Sequence, residues 1–189
     1  YKDLQVHHIV SIDEDYSKRL DSTNLITLCP MHHKRAEQGI ITKEERVKEI
    51  REIAEGYYRR GEFHCSEAII KTFNDELGNP FSDDITKLAS GFPIGIGKSG
   101  CLCGAVGGGV MALGMVYGRC HGEEQSEIMA TRAADLHNKI KELYRSTCCR
   151  VLTRNLEFQS PERKTHCIKI TGDVAEFIAE TLIEDGKLK

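Results

Sequence analysis

The sequence predicts a mostly α protein, in which a small N-terminal ββα metal module is followed by an all-α helical domain. Three observations predict this. Two short β-rich runs stand near the N-terminus and none follow them; from residue 42 onward apolar residues recur at helical spacing; and the 189 residues are enough for a small module plus a domain of roughly 140 residues with its own core.

Taken in order, residues 4–12 carry β-branched residues around a histidine pair, and "NLITLC" (24–29) is a second short apolar run after a polar loop. The helix-compatible "PMHHKRAEQG" follows, with Gly39 as its stop, which completes a ββα reading for residues 1–46. Thr42 with Glu45 three residues later reads as a capping box, and Val47, Ile50, Ala54 and Tyr57 then mark a helix to about Arg60, ended by Gly61. This helix is taken as the bridge to residues 47–189. Further helices are expected over 65–77, 82–89, 103–117, 123–148 and 171–184, with irregular stretches at 91–100 and 156–169. No strand-period segment is long enough for a second sheet.

Twenty-six basic against 29 acidic residues give a net charge of −3, so no global field recruits nucleic acid or an anionic membrane. The longest apolar stretch, "VMALGMVYG", is far shorter than a membrane span, and "YKDLQVHHIV" lacks the pattern of a signal peptide. A soluble cytoplasmic protein is expected. Eight cysteines in a reducing compartment are then metal ligands or redox groups rather than disulfide staples.

A histidine pair on one strand and a histidine on a following helix can converge on one cation while a neighbouring histidine acts as general base. The combination of "VHHIVSI", Asn24 in "NLITLC" and "PMHHKRAE" resembles the HNH endonuclease family. The resemblance implies His7, His33 and Glu37 as ligands to a divalent ion (Mg, Mn, Ni or Zn), His8 as the base that activates water, Asn24 as the residue holding the loop, and DNA as partner. Relatives commonly carry an upstream cysteine pair that joins positions such as Cys29; with the sequence starting at Tyr1, an N-terminally truncated module is expected. Residues 1–46 hold seven basic and eight acidic residues, a poor surface for phosphate neutralisation.

In the second part, Cys65 and Cys103 are expected to begin helices and Cys167 to lie just ahead of one, while Cys148 and Cys149 fall at a helix end. Helix N-termini offer unpaired N–H groups and partial positive charge, which lower a thiol pKa. In "KSGCLCGAVGGGVMALG", Gly104, Gly108 and Ala112 share one helix face with Gly107, Met111 and Gly114 beside it. Each glycine costs a helix roughly 1 kcal/mol relative to alanine, so this run requires close approach by a cluster, a neighbouring backbone or a second copy of the chain.

The blocks "EFHCSEAIIKTF", "ASGFPIGIGKSGCLCGAVGGGVMALG", "CCRVLT" and "HCIKITGDVAEFIAE" resemble, in order, those of the C_GCAxxG_C_C family of redox-active proteins of anaerobic prokaryotes. Matching positions are Cys65, Cys103, Cys149 and Cys167, with Cys101, Cys120 and Cys148 as alternates. Four thiolates suit an iron–sulfur cluster or zinc. The resemblance, with the glycine-lined, helix-tipped setting, favours an iron–sulfur cluster and a role in electron transfer or redox sensing with an unidentified electron donor or acceptor, and the glycine face adds a homodimer to the expected partners. The competing readings are a dithiol cycling at Cys148 and Cys149 or at Cys101 and Cys103, a zinc-stabilised interaction protein, and an HNH-type nuclease with a redox-sensitive helical domain. His64 and His166, each preceding one of the matched cysteines, and His121 are secondary candidates.

Overall fold

The computed structural model describes residues 5–8, 25–28, 42–124 and 126–188. The chain divides into two compact units, Tyr1–Glu45 and Arg46–Lys189. In the first, β1 (Gln5–His8) and β2 (Leu25–Leu28) pair antiparallel, with His7 opposite Ile26 and His8 opposite Leu25. Both strands fall within the predicted β-rich runs. The helix expected over residues 30–39 lies outside the described residues.

Helix α1 (Lys43–Arg60) starts as its sequence requires: Glu45 N–H donates to Thr42 Oγ1 at 3.2 Å and Thr42 N–H to Glu45 Oε2 at 3.1 Å, a reciprocal capping box. Gly61, at φ 76°, ends it. There follow α2 (Cys65–Glu76), a 3₁₀ helix (Asp83–Ala89), α3 (Gly104–Tyr117), α4 (Glu127–Tyr144), α5 (Cys149–Leu152) and α6 (Pro161–Glu184). Among the described residues of the second unit there is no strand, and no helix is long and apolar enough to cross a membrane.

Helix α3 is the centre. It is apolar on every face, the mark of a helix surrounded by protein, and α2, α4 and α6 pack around it. Val106 and Leu113 of α3 are buried among Ile69, Ile70 and Phe73 of α2, Leu136 and Ile140 of α4, and Ile170, Val174, Ile178 and Leu182 of α6. The glycines of α3 set how close these neighbours come. A Cβ on Gly107 would lie 2.7 Å from the Phe92 ring, one on Gly108 2.7 Å from the Ser66 carbonyl oxygen, and one on Gly109 2.7 Å from Leu136. These three glycines are buried inside the domain, so their close approach is spent on its own helices and on the loop carrying Phe92.

On the outside, Arg51 fastens α1 to α6: its guanidinium meets Glu55 at 3.0 Å, Asp173 at 2.7 Å, and also Glu176. Tyr144 of α4 donates its hydroxyl to the same Asp173, so three helices share one carboxylate.

Boundaries differ from expectation at α6 and at both ends of α4, which starts at Glu127 rather than at Glu123. Helix α6 begins at Pro161, ten residues before the Thr171 start read from the sequence. Ser160 caps it, accepting from Arg163 N–H at 3.1 Å, with proline in the first turn. Thr171 is instead interior and turns its hydroxyl back to the Cys167 carbonyl at 2.9 Å. Helix α4 ends at Tyr144, where Arg145 takes a left-handed conformation (φ 63°), and the chain starts afresh at Cys148.

The glycine packing gives a paired test by urea unfolding. Gly108→Ala should destabilise by about 1–3 kcal/mol, because the added methyl meets backbone that cannot swing away. Gly114→Ala, where a Cβ meets nothing within 4 Å, should be neutral or stabilising by up to about 1 kcal/mol.

Candidate functional site: a four-cysteine cavity

A cavity of about 350 Å³ lies where the tips of α2, α3 and α5 meet the side of α6, and Cys65, Cys103, Cys149 and Cys167 all line it. Each arrives by a different route. Cys65 is the first residue of α2, Cys103 the N-cap of α3, and Cys149 the first residue of α5. Cys167 does not precede its helix as expected but lies nearly two turns inside α6. Cys148 and Cys149 likewise open a helix rather than close one. Cys103 and Cys149 are 7% and 8% exposed; Cys65 and Cys167 are half-buried.

The glycine run opens onto this cavity at its first member. A Cβ on Gly104 would sit 2.6 Å from the Cys65 sulfur, so the missing side chain is what lets the Cys65 thiol lie against the tip of α3. The loop before α3 completes the wall. Its residues Ile94 and Ile96 hold φ of 60° and 43°, a left-handed conformation that costs a β-branched residue on the order of 1–3 kcal/mol, and Ile94 lines the cavity.

Helix N-termini were expected to lower the thiol pKa values; for the four thiols of the cavity the opposite holds. Burial, then the neighbouring Cys103 and Cys167 sulfurs, push Cys65 well above the ordinary thiol range. Burial pushes Cys103 up to about 12, although the amides of Val106 and Ala105 at the tip of α3 pull the other way. Cys167 is raised by burial and by Cys149, and Cys149 by burial; the Arg163 guanidinium opposes both shifts. The dipole is present, but desolvation and the crowding of like groups outweigh it.

Arg163 and Tyr58, which the sequence reading did not single out, also face the cavity. Arg163 stands four residues before Cys167 on α6, hence on the same face, a relation visible in the sequence only once the helix is known to start at Pro161. The Tyr58 hydroxyl donates to the Cys167 sulfur from near the end of α1. His64 lines the cavity and its N–H donates to Glu67 Oε2 at 2.8 Å. His166 does not line it: its ring stands edge-on to Tyr144, 5.8 Å between centroids.

The alternate cysteines go elsewhere. Cys120 and its neighbour His121 are exposed outside the cavity, and the Cys120 amide donates to Glu123 Oε2 at 2.8 Å. Cys101 and Cys148 are in thiol contact with each other. The Val151 amide and the Cys101 thiol lower the Cys148 pKa, while donation to Cys148 raises that of Cys101. Of the histidine module, His7 and His8 fall on β1; Asn24, His33 and Glu37 lie outside the described residues.

Among the described residues no three His, Cys, Asp or Glu are set to grip a single ion; the four thiols instead surround a shared space. Soft sulfur donors, backbone amides and one guanidinium around such a space fit a multi-atom thiolate-bound group. Helical architecture and this thiol set define a helical protein with a four-cysteine site. Residues 63–181 match the family model described as "Putative redox-active protein (C_GCAxxG_C_C)", and the chain belongs to that family. Residues 1–39 match the HNH endonuclease family model. An "Uncharacterized protein" of Archaeoglobus fulgidus is 25% identical over 127 residues, which cover 63% of this chain and 84% of that relative. No solved structure matches.

The raised thiols predict a pH effect on the metal-free protein. An unfolded cysteine titrates at about 8.5. Below that value Cys103 is protonated in both states and its contribution is fully present. As pH rises toward about 12 only the unfolded chain loses the proton, so stability falls. Denaturant unfolding between pH 8 and 11 should show Cys103→Ala losing less stability with pH than the wild type, by up to about 1.4 kcal/mol per pH unit.

Proposed function

We propose that the chain is a redox-active protein whose helical domain, residues 47–189, holds an iron–sulfur cluster through Cys65, Cys103, Cys149 and Cys167 and serves in cytoplasmic electron transfer or redox sensing. The observation that carries this is the single cavity of about 350 Å³ walled by those four thiols. A lone zinc ion draws its four sulfurs to about 2.3 Å and fills the space between them, whereas this cavity has room for a larger group.

Bound there, an iron–sulfur cluster supplies one-electron transfer. The chain's own part is to bind, shield and tune. The four thiols must give up their protons on ligation, and the positive charge of the bound iron would then offset the burial and the crowding that raise their pKa values. Arg163 offsets the negative charge gathered at Cys149 and Cys167, and the Tyr58 hydroxyl and the amides of Ala105 and Val106 lie where they favour anionic sulfur. Half-buried Ile94 contributes apolar surface to the cavity wall.

Anaerobic reconstitution with iron and sulfide tests the reading. Iron and sulfide should reach stoichiometric levels with a visible charge-transfer spectrum. Ser at position 65, 103, 149 or 167 should each remove most of it, while Cys120→Ser should not. Stoichiometric zinc instead would favour the zinc-stabilised interaction protein.

A second reading rests on the match of residues 1–39 to the HNH model. In it, residues 1–46 form a ββα metal module that cleaves DNA, with His7, His33 and Glu37 on a divalent ion (Mg, Mn, Ni or Zn), His8 as base and Asn24 holding the loop. The register that puts His7 and His8 on a paired strand is compatible with it. Plasmid nicking that needs Mg²⁺, Mn²⁺, Ni²⁺ or Zn²⁺ and is lost in His8→Ala is the expected result; nicking unchanged by that substitution would remove the reading.

A further inference from the structure

We propose that Cys101 and Cys148 form a second redox site, a surface dithiol that exchanges with small-molecule disulfides and stands apart from the four-cysteine cavity. Neither residue lines that cavity. Cys101 is exposed and Cys148 half-buried, and the two thiols are near enough to act on each other. The Cys148 thiol in turn donates to the Gly100 carbonyl at 3.1 Å.

The pair is held by the backbone around it. Arg150 N–H donates to the Gly100 carbonyl at 2.8 Å, and Cys103 N–H to the Thr147 carbonyl at 2.9 Å. One bond lies on each side of the pair, so the two segments stay together independently of the sulfurs. The Arg150 guanidinium adds a third tie, to the Ser99 carbonyl at 2.7 Å. The partners suggested by chain adjacency are turned away: Cys103 and Cys149 are buried and face the cavity. A dithiol kept in contact by its scaffold has a high effective concentration of the second thiol, which favours ring closure over a lingering mixed disulfide.

The exchange balances with a small disulfide, RSSR, as oxidant. One protein sulfur, as thiolate, attacks one sulfur of RSSR; that S–S bond breaks, RSH leaves, and a mixed disulfide forms. The second protein thiolate attacks the first protein sulfur and a second RSH leaves. The two protein thiols have together lost two electrons and two protons, and RSSR has become two RSH. A dithiol reductant runs the sequence backward.

The test uses the full chain, metal-free and after anaerobic reconstitution, exposed to 2-hydroxyethyl disulfide, alkylated, and cut with trypsin, whose sites put Cys101 in peptide 99–119 and Cys148 in peptide 146–150. The expected product is these two peptides joined, lighter by two hydrogens and separated by dithiothreitol. It should persist in Cys103→Ser and be lost in Cys101→Ser and in Cys148→Ser. Because Cys101 is exposed, its serine variant should fold as the wild type does by circular dichroism and, read separately, should bind iron as the wild type does. Free, alkylated thiols at both positions in excess disulfide, or a joined peptide that survives Cys101→Ser, would overturn the proposal.

Discussion

The close approach of α2 and α3 is the constraint on which the rest of the structure depends. At Gly108 the missing Cβ brings α3 against the backbone of Ser66, and one turn earlier Gly104 leaves room for the sulfur of Cys65. The same approach that packs the core therefore sets two thiols side by side at the helix tips. The loop carrying Phe92 follows, because that ring fills the notch at Gly107. Packing and chemistry are not alternatives for these glycines. Any side chain that pushed α2 outward would cost core contacts and part the sulfurs in one step.

Gathering thiols inside a protein has an electrostatic cost, and it shows as thiol pKa values raised by burial and by one another. The Cys103 thiol sits at a helix tip with two amides nearby, yet burial still raises it to about 12. Helix-tip geometry alone therefore does not produce a reactive thiolate here; it offers donors that matter once positive charge is brought in. Arg163 acts on both Cys149 and Cys167, and it does so from the helix that carries Cys167. The domain is arranged to hold anionic sulfur only with further compensation.

Much of this was legible in the sequence, and for identifiable reasons. Thr42 with Glu45 is a local signal, satisfied by local hydrogen bonds, and α1 starts where it says. The start of α2 at Cys65 was likewise readable, as were the start of α3 to within one residue of Cys103 and the need for close approach at the glycines. The start of α6 was missed because two signals competed. Thr171 with Asp173 looks like a cap, but a threonine hydroxyl can equally return to the carbonyl four residues back, whereas Ser160 before a proline can do little else than cap. That single shift moved Cys167 into a helix and hid Arg163, whose place beside the cavity depends on helical spacing. Tyr58 was hidden differently: on a helix read as a connector, nothing local marks a residue as facing a distant site.

The cysteine pairing carries the last step. Neighbours in sequence make poor partners here because successive residues leave the backbone in different directions: at the start of α5, Cys149 turns inward while Cys148 turns toward Gly100. The same division falls between Cys103 at the tip of α3 and Cys101 in the turn before it. Two backbone bonds then bring the outward members of the two motifs together, Arg150 to Gly100 and Cys103 to Thr147. Thus "CLC" and "CC" each give one sulfur to the cavity and one to the surface. Spacing along the chain says that thiols are available; the helix tips decide which of them meet.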